Sequence, residues 1–318
     1  GGEDFPADRH RKVFSDSRQS RPLGCRPVDR PRIVADISAW YAAHARDLPW
    51  RAPGVTPWGV MVSEFMLQQT PASRVEPVWR EWLDRWPTPS DLASAEQGDA
   101  VRAWGRLGYP RRAQRLWLAA SAIVERHGGQ VPADLDDLRA LPGVGEYTAA
   151  AIASFAHGRR HAVLDTNVRR VLARLDGGAA LPGSTLTAAE RERAEAWLPD
   201  APADAALWAV ASMELGAQLC IATGRPVCGR CPVAGDCAWR AAGYPEPEAP
   251  GRRPQSYAGT DRQCRGALLA VLRDADAPVP RPRVLSAWSI DPTQAERALA
   301  ALLDDGLVRL DCAGDLTL

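Results

Sequence analysis

From about residue 31 to residue 240, apolar side chains recur every three or four residues with little interruption, and this period most narrows what the chain can become. The segments 33–45, 60–68, 75–86, 114–126, 147–155, 168–175, 190–197 and 205–219 each carry it. Short breaks bearing proline or glycine separate them. Nowhere does a period of two persist, which excludes a sheet-based core and predicts an all-α domain over residues 30–243.

The flanks differ. Residues 1–29 mix charges with Pro6, Pro22 and Pro27 and show little periodicity, which predicts a disordered N-terminal extension. Residues 244–260 hold Pro245, Pro247, Pro250, Gly251, Pro254 and Gly259 and form a proline-rich linker. A second unit occupies 261–318, with helical patterns over 264–273 and 281–288 and a third helix opened by Asp291-Pro292-Thr293-Gln294. That tetrapeptide combines a capping carboxylate, a proline at the first helical position and a glutamine where a capping box needs one. Strands over 307–310 and 315–318 around Ala313-Gly314 complete a small winged-helix-like α/β module.

The chain sets 39 basic residues against 39 acidic ones, which excludes a polycationic tail protein. The sign is nevertheless segregated, with arginines gathered in 102–115, 159–174 and 225–240. Every basic residue except Lys12 is arginine, so chemistry that needs a lysine amine has a single candidate, in the unpatterned N-terminal segment. No apolar run reaches the roughly eighteen residues of a membrane span, and no secretory signal opens the chain, so an intracellular protein is expected. Four of the seven cysteines, Cys220, Cys228, Cys231 and Cys237, follow the spacing C-x7-C-x2-C-x5-C, whereas Cys25, Cys264 and Cys312 are scattered. In such a compartment the cluster points to metal ligation ahead of disulfides, as a [4Fe–4S] cluster or a tetrahedral zinc.

Two further motifs carry chemistry. Leu141-Pro142-Gly143-Val144-Gly145 lies between helical patterns, and its glycines permit a tight hairpin with main-chain N–H groups open to a phosphate at the next helix start. Asp165 ends a short apolar run just before an arginine-bearing helix. At such an N-terminus a carboxylate stays ionised and can stabilise a cation developing on a sugar ring.

In this order the hairpin, the aspartate and the cysteine cluster resemble the helix-hairpin-helix DNA glycosylases of the endonuclease III superfamily, over roughly residues 30–245. Leu48-Pro49-Trp50-Arg51 and Val62-Ser63-Glu64-Phe65-Met66-Leu67-Gln68-Gln69-Thr70 are similar to segments of its adenine DNA glycosylases of the MutY type, which remove adenine mispaired with 8-oxoguanine. The resemblance implies a two-lobed core with an iron–sulfur loop. It implies Glu64 as general acid, Tyr147 in the catalytic pocket, and Asp165 with Asn167 as the D-x-N pair. Gln69 and Thr70 would enter the duplex beside the estranged guanine, and Tyr109 of Leu107-Gly108-Tyr109 would be a second wedge. Leu141, Gly143, Gly145 and Arg51 would contact DNA, and the four clustered cysteines would hold [4Fe–4S] in preference to zinc. The partner is then double-stranded DNA with an A:8-oxoguanine or A:G mismatch, bound by a monomer in the bacterial cytoplasm at the nucleoid.

The chemistry of the residues agrees. Breaking an N-glycosidic bond requires a neutral carboxyl and an ionised one, and Glu64 sits in an apolar setting of Val60, Met61, Val62, Phe65, Met66 and Leu67 that would raise its pKa. Superfamily members that also cut the backbone have a lysine in the position of Tyr147, so this chain is expected to remove the base without cutting the strand. Two departures stand out. The family has six residues between its first two cluster cysteines and this chain has seven, 221–227. In place of a NUDIX-like domain with its Phe-Ser-His loop stands the short module, whose third helix carries Asp291, Glu296, Asp304 and Asp305 against Arg297. An acidic helix favours packing or protein contact over groove reading. The competing readings are a thymine or uracil mismatch glycosylase, against which Glu64 argues because thymine has no N7 to protonate, and a non-catalytic DNA-binding module.

Overall fold

The computed structural model describes residues 28–247 and 257–318; most of the expected N-terminal extension, with Lys12 and Cys25, and the middle of the linker lie outside the described residues. Helix α1 (Arg30–His44) starts at Asp29, whose carboxylate accepts from the Arg32 amide. A turn of 3₁₀ helix (Pro49–Arg51) leads into α2 (Pro57–Leu67), α3 (Ala72–Arg85), α4 (Pro89–Ala93), α5 (Gln97–Trp104), α6 (Arg111–His127), α7 (Leu135–Arg139) and α8 (Glu146–His157). Then come α9 (Thr166–Leu175), α10 (Ala188–Ala196), α11 (Pro202–Gln218), the cysteine loop and α12 (Ala238–Ala241). Each long helix expected from the apolar period is present. The additional α4, α5 and α7 have only 5, 8 and 5 residues, too short to display a period.

Two cores divide the helical domain into lobes. The first gathers α2 to α8 around Phe65, Met66, Trp82, Trp104, Leu116 and Ile123. The second packs α1, α9, α10 and α11 around Ile33, Ile37, Trp197, Trp208 and Leu215. The chain therefore begins in one lobe, builds the other, and returns. Small side chains, Ala150 and Ala151 of α8 with Ala209 of α11 and Val163, seat the lobes on each other and leave a cleft between α2 and α9. The tryptophans serve this packing, all of them buried except the half-buried Trp117.

The C-terminal unit comprises α13 (Asp261–Arg273), α14 (Arg281–Leu285), α15 (Pro292–Asp304) and an antiparallel pair, β1 (Arg309–Leu310) with β2 (Leu316–Thr317). Val279 bridges Leu316 on the other side, giving the small wing. The unit is seated on the first lobe and its buried leucines run continuously into that core. One nitrogen of Arg102 donates to the carbonyls of Leu272, Arg273 and Ala275 at 2.9, 2.7 and 2.9 Å, satisfying the end of α13. Gly98 makes the closest approach, since a Cβ there would lie 2.7 Å from the Leu318 carbonyl oxygen.

Candidate active site

Helix α2 is buried on every side from Trp58 to Met66, which is unusual for a helix that also carries a carboxyl. Thr56 caps it by accepting from the Gly59 amide. Glu64 is only 6 % exposed, and its one polar side-chain partner among the described residues is the Tyr147 hydroxyl, which donates at 3.1 Å from the first turn of α8. Burial pushes the Glu64 carboxyl up to about 7, assisted by the negative charge of Asp165 and opposed by the Tyr147 hydrogen bond and the Arg51 charge.

Across the cleft, Asp165 caps α9. One oxygen accepts from the Val168 amide at 2.6 Å and the other from the Asn167 side chain at 2.7 Å. Burial raises its carboxyl from the usual aspartate value, while these donors hold it down. Asn167 is fixed in turn by Arg170, which donates to its side-chain oxygen at 2.7 Å and to the carbonyls of Gly216 and Cys220 at 2.8 and 2.6 Å. A Cβ at Gly216 would come within 2.7 Å of Asn167 Cβ, so only glycine lets α11 pass this close to the segment.

Glu64, Tyr147, Asp165 and Asn167 thus line one cleft of about 630 Å³, closed by Tyr41, Trp50 and Met213. Arg51 lies in its wall rather than on an outer face. Its guanidinium meets Glu214 of α11 at 2.9 Å, and Arg46 binds the same carboxylate at 2.6 and 2.7 Å. Burial opposes the Glu214 charge, yet these donors outweigh it and hold the carboxyl at about 2. The resulting ion network ties the 46–51 segment to the second lobe. Nothing in its sequence spacing announces it, because Glu214 is remote in the chain.

The two turns expected to meet a duplex sit side by side. Gln69 and Tyr109 are exposed and both adopt left-handed backbone, with φ of 57° and 50°, an uncommon state for residues other than glycine. Between them Arg112, buried and without a carboxylate partner among the described residues, donates to the carbonyls of Phe65, Met66 and Gln68 at 2.9, 3.0 and 2.6 Å. Its other terminal nitrogen donates to the Thr70 hydroxyl and the Gly108 carbonyl, both at 3.0 Å. Arg112 is therefore the C-terminal cap of α2 and the link between both turns, a role that sequence reasoning missed because an arginine at a helix start carries no such signal. Thr70 is buried in this clamp and supports the turn from within.

In the hairpin, Gly143 has φ of 78°, and a Cβ there would meet Arg115 Cβ at 2.7 Å. Gly145 opens α8 with free space around it. The Leu141 side chain is 3 % exposed and belongs to the core, which leaves only its main chain for an external partner.

No disulfide joins the four clustered cysteines, and Cys220, Cys231 and Cys237 flank the second core. Burial raises Cys231 to about 11, opposed by a main-chain hydrogen bond at Val233 and assisted by the charges of Cys220, Cys237 and Cys228. Among the described residues no three His, Cys, Asp or Glu side chains converge on a single ion. Arg174 donates to Cys220 Sγ at 3.3 Å, a cation placed where thiolate charge would collect.

A hairpin between helices, a two-lobed helical body and an acid facing a capped aspartate define a base-excision glycosylase fold. The model of the HhH-GPD superfamily of base excision DNA repair proteins matches residues 62–197. An adenine DNA glycosylase of Mycobacterium tuberculosis (strain ATCC 25618 / H37Rv) is 52 % identical over 283 residues, 88 % of this chain and 92 % of the relative. The human adenine DNA glycosylase is 41 % identical over 224 residues, 66 % of this chain and 41 % of the relative. A solved thermostable thymine-DNA glycosylase superposes with a TM-score of 0.59 at 27 % identity, over 67 % of this chain and 97 % of its own. The chain belongs to the adenine DNA glycosylase family of this superfamily.

Replacing Arg112 by methionine keeps apolar bulk but leaves buried carbonyls without donors, each costing about 1–3 kcal/mol. The expected outcome is a melting temperature lower by several degrees and faster amide exchange at 68–70 and 107–109. Unchanged melting and unchanged protection there would refute the clamp.

Proposed function

We propose that this chain is a monofunctional adenine DNA glycosylase that acts as a monomer on double-stranded DNA and removes adenine opposite 8-oxoguanine or guanine. The observation that carries the reading is the pairing of a dry carboxyl at Glu64 with a capped carboxylate at Asp165 across one cleft. An adenine extruded from the stack would enter that cleft. Glu64 gives its proton to N7, the bond between N9 and C1′ breaks with its electron pair passing to the base, and Asp165 balances the positive charge on the sugar. Water then adds to C1′ and its proton restores Glu64. Tyr147 orients Glu64, and Asn167 orients Asp165.

Outside the cleft, Gln69 and Tyr109 would wedge into the duplex while the amides at Gly143 and Gly145 take a phosphate at the start of α8. Arg51 would meet only DNA atoms that enter the cleft. The preference for adenine is supported by the likeness to the adenine DNA glycosylase relatives, and that for 8-oxoguanine opposite it rests on the resemblance of the 62–70 segment to the MutY type. Cys220, Cys228, Cys231 and Cys237 would hold a [4Fe–4S] cluster, which supplies a covalent tie across their loop and no part of the bond-breaking chemistry. Freshly purified protein should then show a broad visible absorption band that is lost in Cys231→Ser; a colourless native protein would argue against the cluster.

Duplexes containing A opposite 8-oxoguanine, A opposite G, T opposite G and U opposite G should be nicked by alkali only at the adenine strand. Borohydride should trap no covalent adduct, since the cleft holds Tyr147 where a lysine would be needed. Glu64→Gln should lower single-turnover excision by about 10²–10⁴-fold with little change in binding. Release of thymine, an efficient borohydride adduct or full activity of Glu64→Gln would each overturn the corresponding assignment.

The pH profile follows from the same two groups. Glu64 acts protonated, so the rate should fall as pH rises through about 7, while the acid limb reports ionisation of Asp165. Stability carries the same sign for Glu64: its folded state keeps a proton that an unfolded glutamate releases near 4.5, so this contribution is lost as pH rises from there through about 7. An alkaline limb that does not move in Tyr147→Phe, which removes the one side-chain hydrogen bond to Glu64 among the described residues, would show that another group sets it.

A further inference from the structure

We propose that the C-terminal module is a working part of the DNA-binding face, with the Arg262 guanidinium taking a backbone phosphate of the duplex beside Tyr109. This inference rests on the reading of Tyr109 as a wedge. The module grips the turn that carries Tyr109 at both ends. Arg273 donates to the Gly105 carbonyl ahead of it, and Arg111 behind it pairs with Asp305 at the C-terminal cap of α15, which Arg265 of α13 also holds. Between these grips, Arg262 donates to the Tyr109 hydroxyl at 3.2 Å and lies 5.0 Å from the centre of the Tyr257 ring. Tyr109 and Tyr257 are 44 % and 51 % exposed, so core packing does not account for two rings joined by an arginine.

Charge pairing separates Arg262 from its neighbours. Asp261 is engaged by Gln294 at 2.8 Å and by Arg297 at 3.5 Å, Glu296 by Arg281, and Asp305 by two arginines. No carboxylate among the described residues pairs with Arg262, and the same holds for Arg74 and Arg106, which are joined where Arg74 donates to the Arg106 carbonyl. Three exposed, uncompensated arginines thus flank one turn. Such a set suits an anion of regular spacing, and a nucleic-acid backbone is such an anion. Stacking on a ring and bonding to a phenol orient the Arg262 fork in advance, so little side-chain freedom is lost on contact. The contact comes from the first turn of α13, not from the acidic α15.

The test uses the full chain and a labelled duplex carrying non-hydrolysable 2′-fluoro-deoxyadenosine opposite 8-oxoguanine, with affinity measured over a range of salt. Arg262→Ala should raise Kd about fivefold to tenfold at low salt and reduce the slope of log K against log salt by about one. Arg262→Lys should retain the slope, because a lysine still neutralises a phosphate. Arg281→Ala, whose charge lies on Glu296, should change neither quantity. An unaltered slope in Arg262→Ala, or an equal loss in Arg281→Ala, overturns the proposal. Absence of adenine release by the unsubstituted protein would sink the functional reading instead, and the salt slopes would still decide for or against Arg262.

Discussion

A carboxyl keeps its proton near neutrality only where water cannot reach it, and much of the molecule is arranged to keep Glu64 dry. Helix α2 has no solvent face from Trp58 to Met66, so neighbours must cover it on all sides. Helices α3, α6 and α8 do so, and the lobe that supplies Asp165 closes the remaining side. Asp165 is buried too, which raises its carboxyl, but donors act against that burial: the Val168 amide, the Asn167 side chain and the field at the start of α9. Two carboxyl groups in one cleft are thereby driven toward different protonation states by different surroundings, the arrangement that acid catalysis with a stabilised cation needs.

A helix buried all round has an unsatisfied end, and here arginine solves the problem repeatedly. Arg112 caps α2, Arg102 caps α13, and Arg170 and Arg174 satisfy carbonyls at the entrance to the cysteine loop. A buried cation costs several kcal/mol unless most of its hydrogens are engaged, and a planar fork with five donors engages more carbonyls than an ammonium with three; in Arg112 both terminal nitrogens are engaged and only Nε has no partner among the described residues. Arg102 acts through main chain alone, and the other three mostly through main chain. The scarcity of lysine, first informative for what it excludes in catalysis, is therefore matched by a structural use of arginine that lysine could not fill.

Much of this was legible in the sequence, and for definite reasons. The helices of both lobes follow from a period of 3.6, and Gly143 and Asp165 mark local events, a left-handed turn and an N-cap, that one residue type largely determines. What could not be read depends on partners far apart in the chain. Arg46 and Arg51 meet Glu214, Arg112 meets the end of α2, and Arg262 meets Tyr109, and no period or local motif encodes such pairings. Leu141 shows the converse limit. A motif places its main chain at the surface, but only packing reveals that its side chain turns inward.

The formal charge of zero acquires a structural meaning from these pairings. Acidic side chains are consumed in internal work: Glu214 holds the cleft segment, Glu190 secures Arg169 beside α9, and Asp305 fastens the module to the first lobe. Each neutralises arginines that serve architecture. Arginines without such partners among the described residues, Arg74, Arg106 and Arg115 among them, lie on or next to the turns and the hairpin that the proposed reading turns toward a duplex. An average over the chain cancels these two populations although they do different things. Screening limits a phosphate's reach to about 10 Å, so what an approaching strand encounters is the local surplus and not the total.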